Sequence, residues 1–339
     1  MGRLKIEYGI DLGTTNSGIA RMENGVSTIL EIDNSKTVPS VILFDRKDNA
    51  DVGIRAYNSP KPTFTEFKRD MGKKELQDNP DAELKNGTKI TPEFLSSEVL
   101  KKLKTRVNDE ILKSVVITVP AMFEIGQVEA TKRAAKMAGF EQIEILMEPV
   151  AAATAFAMKN MEKSGNWLVF DFGGGTFDAS IVKVEEGIMK VTASEGDNRL
   201  GGGDLDRAIL NDIMIPELKK NFNIDGLDDT KKTFLKRMLK KDADKIKIEL
   251  SFNENFEFLS DLDAYGIDAD GKELELDFKF TNEKVQSLFK PYFKKAIECV
   301  KELLNRSNLT INEIDELILV GGPTQIPAFR QMIEKELKK

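Results

Sequence analysis

With 339 residues, 40% of them hydrophobic and 32% charged, the chain can bury a full core and is long enough for about two domains. Its net charge of −7 is dispersed along the sequence, which gives no general affinity for nucleic acid or anionic membrane. There is no histidine and a single cysteine, Cys299. Ser-His and Cys-His nucleophiles, His-ligated metals and an internal disulfide are therefore excluded, and any catalysis rests on carboxylates, lysines, hydroxyls and bound metal.

The N-terminus, MGRLKIEYGIDLG, lacks the apolar core of a signal peptide. The longest uncharged apolar run, PVAAATAFAM at 149–158, is about half a membrane span, so the protein reads as cytoplasmic. IEYGIDLGTTNSGIARM predicts a hairpin: a β-rich run reaches Asp11, turns through Gly13, Thr14 and Thr15, and returns. Between Asp45 and Ser97 the composition turns polar and irregular, as in a small insertion. SVVITVP (114–120) then reads as a strand, 124–139 as a helix, 143–147 as a strand and 148–160 as a helix.

LVFDFGGGTFDASIV (168–182) repeats the first hairpin, placing Asp171 where the first has Asp11 and Gly173 where it has Gly13, 160 positions later. Helical patterns follow near 204–220 and 228–251, strand-like segments between 254 and 280, a long helix over 282–305, and a final strand, glycine turn and helix over 316–339. The Lys- and Arg-rich run 231–247 carries Leu235, Leu239 and Ile246 at helical spacing and reads as a solvated helix face. Cys299, inside a helical pattern, reads as a core thiol. The expected organisation is two related α/β lobes, 1–163 and 164–339, with insertions at about 45–97 and about 221–281, the loop tips facing each other across a cleft.

Four glycine turns, at Gly13, at Gly173-Gly174-Gly175, at Gly201-Gly202-Gly203 and at Gly321-Gly322, end strands or open helices. Lacking β-carbons, such turns let backbone amides converge on an anion, and phosphate is the natural one. The P-loop and dinucleotide fingerprints are both absent. A polyphosphate held between lobes needs Mg²⁺, which takes carboxylates and waters, and Asp11 and Asp171 stand where they could flank it.

YGIDLGTTNSGIA, VVITVPAMF, LMEPVAAATAFAM, LVFDFGGGTFDASIV, GDNRLGGGDLD and LILVGGPTQIP resemble, in order and spacing, the phosphate, connect and adenosine motifs of the actin-like ATPases, and within them the DnaK-type heat-shock chaperones. The resemblance runs from about Tyr8 to the C-terminus. It implies a two-lobed actin-like ATPase fold, each lobe built on a ribonuclease-H-like mixed sheet, closing on ATP or ADP with Mg²⁺ and with K⁺ as a further candidate ion. On that resemblance Gly13, Thr14, Thr15 and Asn16, with Gly173, Gly174, Gly175 and Thr176, hold phosphates. Asp11 and Asp171 orient waters around the metal, Lys68 lies near the γ-phosphate, Glu148 near the attacking water, and Asp178 with Thr176 completes the polar shell. Gly201, Gly202, Gly203, Asp244, Lys247 and Ser251 match the nucleoside contacts, with Gly321, Gly322 and Gln325 beneath.

Departures from the pattern shape the expected function. Gln325 stands where most members have Arg and Ile248 occupies the opposing helix, so the cationic clamp on the adenine is missing and weaker nucleotide affinity is expected. Val128 replaces an arginine that helps carry nucleotide state to the interdomain linker, and Glu144 and Met147 replace residues where J-domain cochaperones dock. Family resemblance implies a nucleotide exchange factor and a J-domain protein as partners, and client peptides through a C-terminal domain. The chain stops at Lys339, before that domain, and reads as truncated. A small-molecule kinase and an ATP-dependent filament protein of the same superfold are the alternative readings.

Overall fold

The computed structural model describes residues 6–338 apart from 60, 106, 108–112, 161–163 and 262. β1 (Tyr8–Asp11) and β2 (Asn16–Glu23) form the first hairpin, extended by β3 (Val26–Ile29). Short β4 (Val38–Pro39) pairs with β2, and β5 (Ile42–Phe44) pairs with β6 (Ala50–Val52). The chain continues through α1 (Ile54–Tyr57), a 3₁₀ turn over Phe67–Asp70 and α2 (Pro92–Lys104). It re-enters the sheet as β7 (Ser114–Val119), α3 (Ile125–Met137) and β8 (Gln142–Met147), and then leaves along α4 (Glu148–Asn160).

The second half begins with β9 (Gly165–Phe172), β10 (Phe177–Glu185) and β11 (Ile188–Asp197). α5 (Gly202–Ile209) runs through a π-turn at Leu210–Met214 into α6 (Ile215–Leu218), and α7 (Asp229–Leu250) follows. A separate β12 (Asn255–Leu259) and β13 (Asp277–Thr281) ribbon precedes α8 (Asn282–Arg306) and β14 (Glu316–Val320). A 3₁₀ turn over Gly322–Gln325 leads into α9 (Pro327–Leu337).

The internal repeat is one of topology. In the first sheet the order is β3-β2-β1-β7-β8, and in the second it is β11-β10-β9-β14. In each, the first hairpin strand sits between its antiparallel partner and a parallel strand that arrives after a helix. Because those parallel strands end beside the hairpin turns, both turns lie at the same end of their sheets, where ligands of open α/β sheets bind.

Each sheet carries its own core. Around the first, Ile10, Val115 and Ile117 pack with Leu95, Val99 and Leu100 of α2. The edge expected near residue 97 thus falls inside a helix: polar composition marks the loop before Thr91, while the apolar stripe beyond it belongs to the sheet. The expected lobe junction at 163 lies outside the described residues.

β9 is apolar on both faces, which explains its near-continuous hydrophobic run. Leu168, Phe170 and Phe172 point into a core with Phe177, Phe293 and Phe329, whose neighbouring ring centroids lie 4.5–6.4 Å apart. Trp167 and Val169 face the other way and receive Ala153 and Ala157 of α4. The alanines let this helix, which follows the first sheet, pack closely on the second, and its first residue, Glu148, is thereby fixed at the junction. Cys299 is half-buried against the second core, and burial together with Asp197 and Glu195 pushes its thiol up to about 11, so it stays an unreactive thiol.

Candidate functional site

A cleft of about 1050 Å³ runs between the two sheets' helices and receives both hairpin turns. The turns touch: a β-carbon on Gly174 would overlap the Thr15 side chain, and one on Gly175 would overlap Thr14. Glycine is therefore required by close approach of the two turns. Gly13 N donates to Ser17 Oγ at 3.1 Å, and the Ser17 and Ser40 hydroxyls, 2.9 Å apart, are tied back by a 2.8 Å bond from Ser40 Oγ to Gly13 O. Gly173 N closes the second turn onto Thr176 O at 2.9 Å. Among the described residues, the amides of Thr14, Thr15, Gly174 and Gly175 have no acceptor in the protein. Four donors without partners at one end of a cleft form an anion-binding concavity.

The third glycine turn works differently. Gly202 N donates to Gly173 O at 3.0 Å, Gly203 N to Gly174 O at 2.8 Å, and Gly201 N to Asp204 Oδ2 at 2.8 Å. All three amides are used inside the protein, so this turn supplies space and braces the second turn. In the fourth, Gly321 has φ 92°, and a β-carbon there would overlap Phe172 O at the end of β9. Gly322 and Gln325 line the cleft beside it. The Gln325 side chain is held by Arg330, whose Nη2 donates to Oε1 at 2.8 Å while Nε donates to Thr324 O at 2.8 Å.

Beneath the facing turns lies a charged cluster. Lys68, on the 3₁₀ turn after Glu66, is buried and donates from Nζ to Glu148 Oε1 at 2.9 Å, with the Phe123 ring 5.6 Å from its ammonium. It is no surface charge, although it stands next to Arg69 in sequence. Asp171 and Asp178 are directly paired across β9 and β10, and Asp11 ends β1, where Thr118 Oγ1 donates to its Oδ1 at 3.2 Å. Asn16 opens β2 at the rim.

Burial alone would depress the Lys68 ammonium, but Glu148, Asp11 and Asp178 outweigh it and raise its pKa. Burial holds Glu148 above the ordinary carboxylate range against the pull of Lys68. Asp171 lies well above its usual range through burial and the charges of Glu148, Asp178 and Asp11. Asp178 is pushed to about 7 by burial and Glu148, despite Lys68 and a bond from Thr176. One ammonium cannot compensate four carboxylates, so the cluster has the electrostatics of a cation site. Among the described residues no three such groups converge to grip a metal directly. Carboxylate oxygens are the hard donors that a hydrated divalent cation takes.

Behind the third glycine turn, where Lys247 Nζ lies 3.4 Å from Gly202 O, α7 presents Asp244, Lys247 and Ser251 to the cleft. Lys247 Nζ bonds Asp244 Oδ1 at 2.8 Å and Asp206 Oδ1 at 2.6 Å. Ser251 Oγ donates back to Lys247 O at 2.8 Å. Ile248, 51% exposed, and Phe252, 78% exposed, turn apolar surface into the same space. The basic run along α7 is thus only partly a solvated face, because Arg237, Lys240, Lys241 and Lys247 line the cleft. Val128 on α3 and Glu144 on β8 are half-buried, and Met147 is exposed.

Sequence reasoning missed Glu66, Arg69, Asp204, Asp206, Lys240 and Phe252. The signal for Asp204 and Asp206 was present in GGGDLD, where acids follow the glycines at the start of a helix. The others lie in segments whose proximity only the fold creates.

Comparison with known proteins bears on this geometry. The family model described as Hsp70 protein matches residues 7–339. The chain is 38% identical to "Chaperone protein DnaK" from each of two strains of Thermus thermophilus, over 98% of this chain and 57% of each relative. It therefore spans little more than half the length of those relatives.

Proposed function

Because the chain belongs to the Hsp70 family and has its two-lobed actin-like ATPase fold, we propose that it binds ATP and ADP with Mg²⁺ in the cleft and hydrolyses ATP slowly. The observation that carries this reading is the pair of facing turns with four amides lacking acceptors above the Lys68, Glu148 and aspartate cluster. Phosphoryl transfer needs positioning and charge neutralisation more than covalent chemistry, and this set supplies both.

The amides of Thr14, Thr15, Gly174 and Gly175 take the phosphates, with the hydroxyls of Thr14, Thr15 and Thr176 around them. Lys68 neutralises charge at the terminal phosphate. Glu148, held against Lys68, orients the attacking water and accepts its proton, and Asp178 supports the same shell. Asp11 and Asp171 hold the metal's waters; bound Mg²⁺ supplies neutralising charge on the phosphate oxygens. The nucleoside lies towards α7, with Asp244, Lys247 and Ser251 on one side and Gly321, Gly322 and Gln325 on the other. Ile248, Phe252 and Gln325 there replace cationic stacking with apolar and amide contacts.

In a protein of its relatives' length, nucleotide state would regulate client-peptide binding by a further domain, with an exchange factor and a J-domain protein as cochaperones of the cycle and the cytoplasm as its location. Glu144 and Met147 argue against a standard J-domain contact. Among the described residues no helix is long and apolar enough to cross a membrane. The kinase and filament alternatives gain no support from the relatives.

The reading is tested at the nucleoside end. Phe252→Ala removes an exposed ring without disturbing a core and should weaken ATP and ADP binding by roughly tenfold, the scale of one base-stacking contact. It should leave inorganic tripolyphosphate binding unchanged. Equal losses for nucleotide and tripolyphosphate, or no loss for either, would count against this orientation.

A further inference from the structure

Glu66 stands out in the first half of the chain because it combines an unfavourable backbone with partners that come mostly from the second half. Its φ of 56° and ψ of 13° place a residue with a β-carbon in the left-handed region, immediately before the 3₁₀ turn that carries Lys68. Such conformations persist where surrounding contacts over-determine them.

The contacts here are ionic. Glu66 Oε2 meets Arg69 Nη1 at 2.9 Å, while Oε1 meets Lys240 Nζ of α7 at 2.6 Å and Arg207 Nη1 of α5 at 3.2 Å. Arg69 continues across the cleft, donating to the Gly175 carbonyl and approaching Asp204 at 3.4 Å, and Arg207 closes the ring onto Asp204 at 2.6 Å. Gly203 leaves the room: a β-carbon there would come within 3.2 Å of Glu66 Oε1. Lys240, Arg69 and Arg207 outweigh burial and hold the Glu66 carboxyl at about 2, so the carboxylate is charged throughout the physiological range.

Resting on the nucleotide-cleft reading above, we propose that Glu66 is a positioning residue that couples approach of the two lobes to placement of Lys68. Two of its cationic partners, Lys240 and Arg207, belong to the second lobe. When the lobes separate, both withdraw, and the turn that presents Lys68 loses the contacts that fix it two residues upstream. Lys68 is then held against Glu148 and the phosphates only when the cleft is closed.

The test uses hydrogen–deuterium exchange on the nucleotide-free chain, so its outcome does not depend on ATP binding. Lys240→Ala, on the second lobe, should speed exchange at the amides of residues 68–71 by roughly tenfold, as should Glu66→Gln, which keeps the side chain's shape but not its charge. Glu66→Gly suits the left-handed backbone and carries no carboxylate; it should behave like Glu66→Gln. The double variant Lys240→Ala with Glu66→Gln should exchange no faster than Glu66→Gln alone, since loss of the Glu66 charge already removes the Lys240 ion pair. Unchanged exchange in Lys240→Ala would overturn the proposal. So would wild-type exchange in Glu66→Gly, because backbone conformation alone would then position the turn. If ATP fails to bind the wild-type protein, the nucleotide reading falls while the cross-lobe coupling measured this way stands or falls by itself.

Discussion

Lys68→Ala and Glu148→Gln are each expected to slow single-turnover ATP hydrolysis by roughly a hundredfold, the range found when one electrostatic or acid–base group is removed, while nucleotide affinity changes only a few-fold. The two side chains form a 2.9 Å pair in a site where Lys68 is the ammonium facing four carboxylates. Removing Lys68 takes away the positive charge near the terminal phosphate and leaves Glu148 to take up a proton, which disables it as a base. Removing the Glu148 charge leaves Lys68 without its tether and the water without its acceptor. The affinity is preserved because the amides of Thr14, Thr15, Gly174 and Gly175 do not depend on either side chain. Rapid mixing for hydrolysis, with affinity measured separately, checks this. Wild-type hydrolysis in both variants would show that neither residue acts in the reaction.

The second large effect concerns pH. Asp178 has its folded pKa raised from 3.8 to about 7, so the folded protein holds this proton more tightly than the unfolded chain does. The associated stability is fully present below about pH 4 and is lost as pH rises towards 7, by about 4 kcal/mol for the roughly three-unit shift. Asp206, raised by burial to about 6 against Lys247, acts in the same direction. Glu66 acts oppositely, but its stabilisation is lost only as pH falls from its ordinary value towards 2, outside this window.

The nucleotide-free protein should therefore melt at progressively lower temperature between pH 5 and pH 8. Mg-ADP, which favours the ionised carboxylates, should raise the melting temperature more at pH 8 than at pH 5.5. Asp178→Asn should flatten both trends. A nucleotide-free melting temperature that rises over this range would contradict the assignment.

Much of this site could be read from the residues before any coordinates. The two hairpins were legible because one device, an aspartate before a glycine turn flanked by apolar runs, occurs twice; Asp11 and Asp171 duly end β1 and lie within β9 at the two turns. The turn at Gly201–Gly203 was legible as a site element, but its use was not, since only coordinates show its amides donating to Gly173, Gly174 and Asp204.

Lys68 could be found only through a motif, because it lies in a polar, irregular stretch where helical or strand periodicity carries no information. The Glu66 ring was illegible for a related reason: its two halves, Glu66 with Arg69 and Asp204 with Arg207 and Lys240, lie more than a hundred positions apart and meet only when the two sheets are assembled. Nor could the pattern of α4 reveal that its alanines face the second sheet, since helical periodicity defines a face without naming its partner.

On the proposed function, the facing glycine turns and the carboxylate cluster form one Mg-nucleotide site. Calorimetric titration of ATP and ADP into the nucleotide-free protein, with Mg²⁺ and then with EDTA, tests it most directly. The expected result is saturable binding of one nucleotide per chain that weakens markedly when the metal is chelated. Absence of binding heat for both nucleotides in the presence of Mg²⁺, with the protein shown to be folded, would contradict it.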